Sequence, residues 1–277
     1  RTERMRTHSY GLFSLSRVMF YATIGTEPKK RRDQTPMPIL PTSDEMRCID
    51  TLASEEYGIP AAVLMENAGQ TAAEIIARQT APGRVVCLCG TGNNGADGYV
   101  VARHLVRLGF RVSVFSVGDR VRETALARLQ REYYSLYAGQ TVCEWDPEIS
   151  LEGACIVDAV LGAGLHGEPR SPARECIESI NRAQASGSTV CAIDVPSGLV
   201  TSGAGQTGQP VHATYTITFG YPKYGMHTPA GRTLCGRILC ADIFFPPRPA
   251  AESCRRYWYT WDDAERIMPG RPLDAHK

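Results

Sequence analysis

Three aspartates in this chain each follow a short apolar run, and neutral oxygen donors stand beside them. Asp97 lies near the end of the turn Gly90-Thr91-Gly92-Asn93-Asn94-Gly95-Ala96-Asp97-Gly98, which follows Val85-Val86-Cys87-Leu88-Cys89. Asp158 follows Ile156-Val157, and Asp194 follows Val190-Cys191-Ala192-Ile193 and opens Val195-Pro196-Ser197-Gly198. A carboxylate behind a buried strand is costly unless it meets a ligand, a cation or a proton. Asn93, Asn94, Ser197 and the aspartates form an oxygen set without His or Cys. Such a set suits magnesium, calcium or an alkali ion rather than zinc. Taken singly, each aspartate reads equally well as a helix cap or turn acceptor. Three at corresponding places favour one shared crevice.

The turn from Gly90 to Gly98 reads as a strand-to-helix connection whose amides hold an anion such as a phosphate. It is not a P-loop, because no Gly-Lys-Ser/Thr follows. Only Gly90-Thr91-Gly92-Asn93-Asn94-Gly95 matches the dinucleotide fingerprint, and no distant acidic ribose contact accompanies it. Two further stretches carry polar groups. The loop Gly162-Ala163-Gly164-Leu165-His166-Gly167-Glu168 follows Asp158-Ala159-Val160-Leu161, and its His166 either titrates near neutrality or is simply solvated. Lys223, in Phe219-Gly220-Tyr221-Pro222-Lys223-Tyr224-Gly225, either neutralises a phosphate or lies on the surface.

These residues need a scaffold that brings strand ends together. Short β-branched runs predict strands over 85–89, 111–115, 154–157, 189–193, 215–219 and 237–240. Helical periodicity predicts a helix that starts at Thr42-Ser43-Asp44-Glu45, then helices over 61–79, from Tyr99 to Leu108, over 122–137 and over 173–185. Strands alternating with helices imply an α/β fold: a doubly wound, mostly parallel sheet with helices on both faces, in a single domain. Glu66 and Asn67, in Met65-Glu66-Asn67-Ala68-Gly69, either reach a site or subunit interface or lie on a solvated face.

The 277 residues carry a net charge of +1, which gives no reason to expect nucleic acid as a partner. No apolar run approaches a membrane span. Of the ten cysteines, Cys87 and Cys89 alternate on the expected core strand and Cys155, Cys191 and Cys240 lie in other apolar runs; with no C-x-x-C pair, they read as reduced thiols in an intracellular compartment. Residues 1–41 read as a basic, disordered extension: an Arg- and Ser-rich start resembling a transit peptide, then Lys29-Lys30-Arg31-Arg32 and a proline-rich connector. The expected compartment is mitochondrial or cytoplasmic. Residues 42–247 read as the folded domain and 248–277 as a linker.

The blocks Gly90 to Gly98, Val157-Asp158-Ala159 with Gly162 to Glu168, Ile193 to Gly198, and Thr216 to Gly220 with Lys223 resemble the signatures of the YjeF N-terminal domain, the NAD(P)HX epimerases. Met65 to Gly69 is similar to that family's early helix motif. The resemblance spans about Pro41 to Pro247 in the family's block order. It implies that Asn93, Asn94, Gly95, Ala96 and Asp97, the loop Gly162, Ala163, Gly164, Leu165, His166, Gly167 and Glu168, and Asp194 contact hydrated NADH or NADPH. It implies that Asn94, Asp158 and Ser197 hold one potassium ion per subunit, and Asp194 is the candidate acid–base residue for epimerisation at C6. A homodimer and a fused or partner NAD(P)HX dehydratase, towards which Arg271 to Lys277 lead, are further implications. The alternative is a non-catalytic nucleotide- or protein-binding module of the same fold. Thr91, Ala96, Thr214 and Ser202-Gly203-Ala204 depart from the family pattern, and the Ala96 methyl is expected to crowd the substrate.

Overall fold

The computed structural model describes residues 18–20, 39–165, 167–202, 206, 208–245 and 254–258. Its centre is a strand made wholly of buried residues beyond its first: β2 (Arg84–Cys89) pairs in parallel with β3 (Arg111–Ser116) on one side and β5 (Cys155–Ala159) on the other. The sheet extends outwards to β4 (Cys143–Glu144) beyond β3, and to β6 (Thr189–Ile193), β7 (Tyr215–Phe219) and β8 (Arg237–Ala241) beyond β5, all parallel. At its far edge β1 (Val18–Phe20) pairs antiparallel with β8. The order β1-β8-β7-β6-β5-β2-β3-β4 reverses direction between β2 and β5. Loops leaving these two strands therefore run apart and open a crevice at their carboxyl ends.

Alternation along the strands supplies two faces. Val85, Cys87, Cys89, Val157, Cys191 and Ile193 face α2 (Ala61–Gln79) and α3 (Asn93–Arg107), with Tyr134 of α4 (Ala125–Ala138) beneath. Val86, Leu88, Ile156, Val190 and Ala192 meet Cys176, Ile177, Ile180 and Ala183 of α5 (Ala173–Ala185). The doubly wound reading thus holds. The first helix, α1 (Ser43–Glu55), starts where expected, on a capping box: the Thr42 hydroxyl accepts the Glu45 N–H at 3.3 Å and Glu45 accepts the Thr42 N–H at 2.7 Å.

Two helix starts differ from the sequence reading. The helix expected from Tyr99 begins at Asn93, with Gly92 as N-cap, so Asn93, Asn94 and Asp97 sit on its first turns and not in a loop. The helix expected from Arg122 begins at Ala125 under a Thr124 cap, after a 3₁₀ turn at Arg120–Arg122. A short α6 (Pro229–Leu234) also precedes β8. The ends of the chain contribute more than an extension and a linker. Residues 18–20 close the sheet, and residues 254–258 return: Cys254 is buried with Ile39, Met46 and Ile49, Tyr257 bridges Ile39, and Arg256 pairs with Glu45 at 2.7 Å. The rest of 1–38 and 246–277 lies outside the described residues, as do His166, Gly203 and Ala204. Among the described residues no helix is long and apolar enough to cross a membrane.

α3 lies so close to the sheet that two glycines of its first turns have no room for a side chain. A Cβ on Gly95 would stand 1.8 Å from the Gly90 oxygen, and one on Gly98 2.5 Å from the Ala159 Cβ and 2.8 Å from the Cys89 Sγ. Gly98→Val is therefore expected to destabilise the fold by about 1–3 kcal/mol through overpacking, measured by denaturant unfolding.

Candidate active site

The carboxyl ends of the strands open onto a cavity of about 1040 Å³, at the upper end of the range for small-molecule and cofactor sites. α3 points its N-terminus into it: Gly92, Asn93 and Asn94 line the wall, and Gly92 offers no side chain to cap the first amides. Those free N–H groups and the helix dipole make the spot attractive to an anion. Arg47, Arg122 and Arg170 line the same cavity. Arg122 follows Asp119 just beyond β3, where open α/β sheets make their ribose contacts. Asp119 also lines the cavity, and its carboxylate accepts the Val121 N–H at 3.0 Å. Asp119 thus places a carboxylate at the cavity rim beyond β3, which the sequence reading did not single out.

At the other end of the cavity the chain builds a charged cluster. β6 ends in Asp194 at φ +65°, with Val195 N–H bonded to the Ile193 oxygen across it at 2.8 Å. This is the strained γ-turn geometry, in a backbone region that aspartate tolerates better than most residues. The turn aims the carboxylate at Lys223, whose ammonium donates to Asp194 Oδ1 at 2.5 Å, Thr218 Oγ1 at 2.9 Å and the Phe219 oxygen at 3.1 Å. Lys223 is only 2% exposed. Of its two sequence readings the surface lysine is thus overturned: three acceptors satisfy all three N–H bonds. Asp97, from the second turn of α3, and Asp50, from α1, complete the cavity's acidic wall. Burial and the neighbouring Asp194 and Asp50 charges push the Asp97 carboxyl well above the usual range, with Lys223 opposing. Partial desolvation in the cavity raises the Asp50 carboxyl to about 6 although the residue stays open to solvent; Lys223 pulls it down and Asp194 pushes it up.

Asp158 does not join this crevice. It lies inside β5, in register with Leu88 and Ala192, and its side chain shares their α5-facing side of the sheet. There it is fully buried and accepts Ser197 Oγ at 2.5 Å, Ser197 N–H at 2.9 Å and Val160 N–H at 3.3 Å. Burial raises its carboxyl to about 6 against those three hydrogen bonds. Ser197 Oγ also accepts the Leu161 N–H at 2.8 Å. Asn94, on the first turn of α3, is buried, neither of its amide atoms has a partner, and it packs against Gly162, where a Cβ would lie 3.1 Å from the Asn94 Cβ. The three aspartates expected in one crevice therefore divide: Asp97 and Asp194 line the cavity and Asp158 does not.

The remaining implied contacts divide. Gly162, Ala163, Gly164 and Leu165 line the cavity, whereas Gly95, Ala96, Gly167 and Glu168 do not. The Ala96 methyl packs with Met65, Val100 and Ala127, so it faces the helices and not the substrate space. Glu66 anchors α2 to α3 through Arg103 at 2.6 Å and His104 at 2.7 Å, which leaves it no part in the cavity. Sequence reading missed Asp50 and Arg122. Asp50 looked like the polar side of an amphipathic helix, and only its spacing from Met46 and Ser54 signals a shared face.

Over residues 61–225 the chain matches the family model described as YjeF-related protein N-terminus. The bifunctional NAD(P)H-hydrate repair enzyme Nnr of Moorella thermoacetica is 36% identical over 250 residues, 86% of this chain and 47% of that protein. Its namesake in Thermanaerovibrio acidaminovorans is 41% identical over 214 residues, 74% of this chain and 40% of that protein. The chain thus spans about half the length of the curated relatives it matches. The crystal structure of yeast ynu0 superposes with a TM-score of 0.65 at 22% identity, covering 80% of this chain and 96% of the yeast chain, a likeness of fold.

Lys223→Met would leave the Asp194 carboxylate, 17% exposed, without its cation. A loss of about 3–5 kcal/mol is expected in denaturant unfolding at neutral pH, shrinking in acid, where a protonated carboxyl needs no counter-ion.

Proposed function

The chain belongs to the family of YjeF-related protein N-termini, and from that membership we propose that it is an isomerase. It interconverts the R and S epimers at C6 of hydrated NADH and NADPH. The observation that carries the reading is the Asp194–Lys223 pair at one end of a cavity whose other end gathers anion-binding groups. The nucleotide's phosphates lie at the amides of Gly92, Asn93 and Asn94 and near Arg122, and the hydrated ring lies against Asp194. There the Asp194 carboxylate exchanges a proton with the C6 hydroxyl or with water, and Lys223 holds it in place. Gly162 to Leu165 close the wall over the ring.

Asn94, Asp158 and Ser197 fit a monovalent cation. The buried Asn94 amide oxygen has no partner, and the fully buried Asp158 carboxylate pairs with no cationic side chain among the described residues. Nor, among those residues, do three His, Cys, Asp or Glu side chains gather as divalent and transition metals prefer. We therefore assign potassium to these residues; when bound it supplies electrostatic order to the start of α3 and the Gly162 loop. A dehydratase domain, fused or partnered, and a homodimeric assembly belong to the same proposal, as does an address in mitochondria or cytoplasm.

Purified R and S epimers of NADHX, incubated with the protein in potassium buffer and separated chromatographically, are expected to interconvert. Asp194→Asn keeps a side chain that tolerates positive φ, and is expected to cost about 10²–10⁴ in rate while nucleotide binding persists. Bound nucleotide without interconversion by the unaltered protein would instead mark a binding module. Potassium is also expected to raise the unfolding temperature relative to a bulky organic cation. The gain is about 2.7 kcal/mol at a hundredfold excess over its dissociation constant, and Asp158→Asn abolishes the potassium-dependent part.

A further inference from the structure

Hydrated NADPH differs from hydrated NADH by one phosphate, on the 2′ oxygen of the adenosine ribose. A site that takes both must meet that oxygen with groups suited to either state. Counted from β2, the parallel strands β4-β3-β2-β5-β6-β7 follow the order 3-2-1-4-5-6. Sheets of this order lay a dinucleotide across the crevice, with the pyrophosphate at the first helix and the adenosine ribose beyond the second strand. The second strand here is β3. The loop that leaves it is bonded to the glycine turn before α3: the Val117 N–H donates to the Cys89 oxygen at 2.8 Å and the Thr124 N–H to the Thr91 oxygen at 2.9 Å. Gly118, at φ +112°, lies so close that a Cβ there would stand 3.1 Å from the Thr91 Cγ2. Asp119 and Arg122 therefore share one stretch of cavity wall with Thr91 and Gly92.

The loop carries four charged side chains, and three of them are engaged. Arg120 turns back to the sheet, donating to Ser116 Oγ at 3.2 Å and to the Val142 oxygen at 2.6 Å. Glu123 is buried against Arg131 at 2.9 Å. Asp119 uses one carboxylate oxygen to accept the Val121 N–H, which starts the 3₁₀ turn and fixes the residue in place. Arg122 is what remains. It is exposed, it lines the cavity, and among the described residues its guanidinium has neither an ion pair nor a hydrogen bond. The other arginines of the cavity come from elsewhere: Arg47 from α1, where it pairs with Asp44, and Arg170 from the segment after β5.

We propose that Arg122 recognises the 2′-phosphate of hydrated NADPH, and that the second carboxylate oxygen of Asp119 accepts the 2′-hydroxyl of hydrated NADH. The assignment rests on the reading of the cavity as the place of a hydrated dinucleotide, and it fixes which end lies where. The amides of α3 hold the pyrophosphate, and the loop after β3 holds the adenosine ribose. A guanidinium presents a planar fork of N–H donors that matches phosphate oxygens. Asp119 alone would favour the hydroxyl and repel the phosphate. Arg122, three residues further on, offsets that repulsion, so the loop accepts either form.

The test uses two ligands that need no turnover, ADP-ribose and its 2′-phosphorylated form. Each is titrated calorimetrically into the full chain in potassium buffer, beside the epimer assay with NADHX and NADPHX. The unaltered protein is expected to bind both ligands. Arg122→Ala is expected to weaken the 2′-phosphorylated ligand at least about tenfold more than ADP-ribose, and to raise KM for NADPHX relative to NADHX in the same proportion. Arg122→Lys keeps the charge without the fork and should fall between. Asp119→Asn keeps an oxygen for the Val121 N–H and is expected to move the ratio towards the 2′-phosphorylated ligand. Arg170→Ala removes a cavity arginine from the far side of β5 and is expected to leave the ratio unchanged. Equal losses for both ligands in Arg122→Ala would give this arginine to the pyrophosphate and overturn the assignment. So would no loss for either, a shift as large in Arg170→Ala, or failure of both ligands to bind. A protein that leaves the epimers apart yet shows the Arg122-dependent preference refutes the epimerase reading alone.

Discussion

A buried ammonium must be satisfied or it is not tolerated, and the region around the cavity is arranged about that of Lys223. Its three acceptors come from the end of β6, the end of β7 and the backbone that follows, so the pair ties two adjacent strands at their carboxyl ends. The Asp194 backbone is held in its left-handed turn by Asp194 N–H to the Ile217 oxygen at 2.8 Å and by the bond that closes over it. Strain at this residue is thus stabilised by the neighbouring strand and the cation together. The carboxylate is left open to the cavity on one side and clamped on the other, which is the disposition that acid–base work requires.

The second organising feature is how near α3 comes to β2 and β5. Glycines at 95 and 98 let the helix sit against the strands, and this brings its first amides and Asn94 to the point where the strand order reverses. Asn94 then lines the cavity beside Gly162, while the Asp158–Ser197 group lies on the α5-facing side of the sheet. In the proposed function, a cation held by Asn94 would couple the order of the start of α3 to that of the Gly162 loop. This gives a physical reason for a polar group buried behind the cavity as well as one inside it.

Legibility followed the range of the interactions. Strands 85–89, 189–193 and 215–219, the Thr42 cap and the helices at 61–79 and 173–185 were readable because runs, periods and caps are local properties. The start of α3 was misplaced because the glycines that suggested a loop instead serve close packing of a helix, a fact about the strand beside them. Asp194 and Asn94 were found because each interrupts or follows an apolar pattern. Asp50 was not, since a carboxylate on an amphipathic helix looks solvated until the facing element is known, and Lys223 was singled out with two readings that only the facing element could separate.

The sequence by itself determined the class of fold, the direction of the sheet, and the residue types gathered at the strand ends, because alternation and glycine placement act within a few residues. Only the tertiary structure decided which of those residues meet. It separated Asp158 from Asp97 and Asp194, since a strand turns successive side chains to opposite faces. It buried Lys223 and brought Asp50 of α1 into the cavity that Asp194 lines. It also turned the Ala96 methyl towards the helices. Each of these depends on elements far apart in the chain, and packing alone sets their distance.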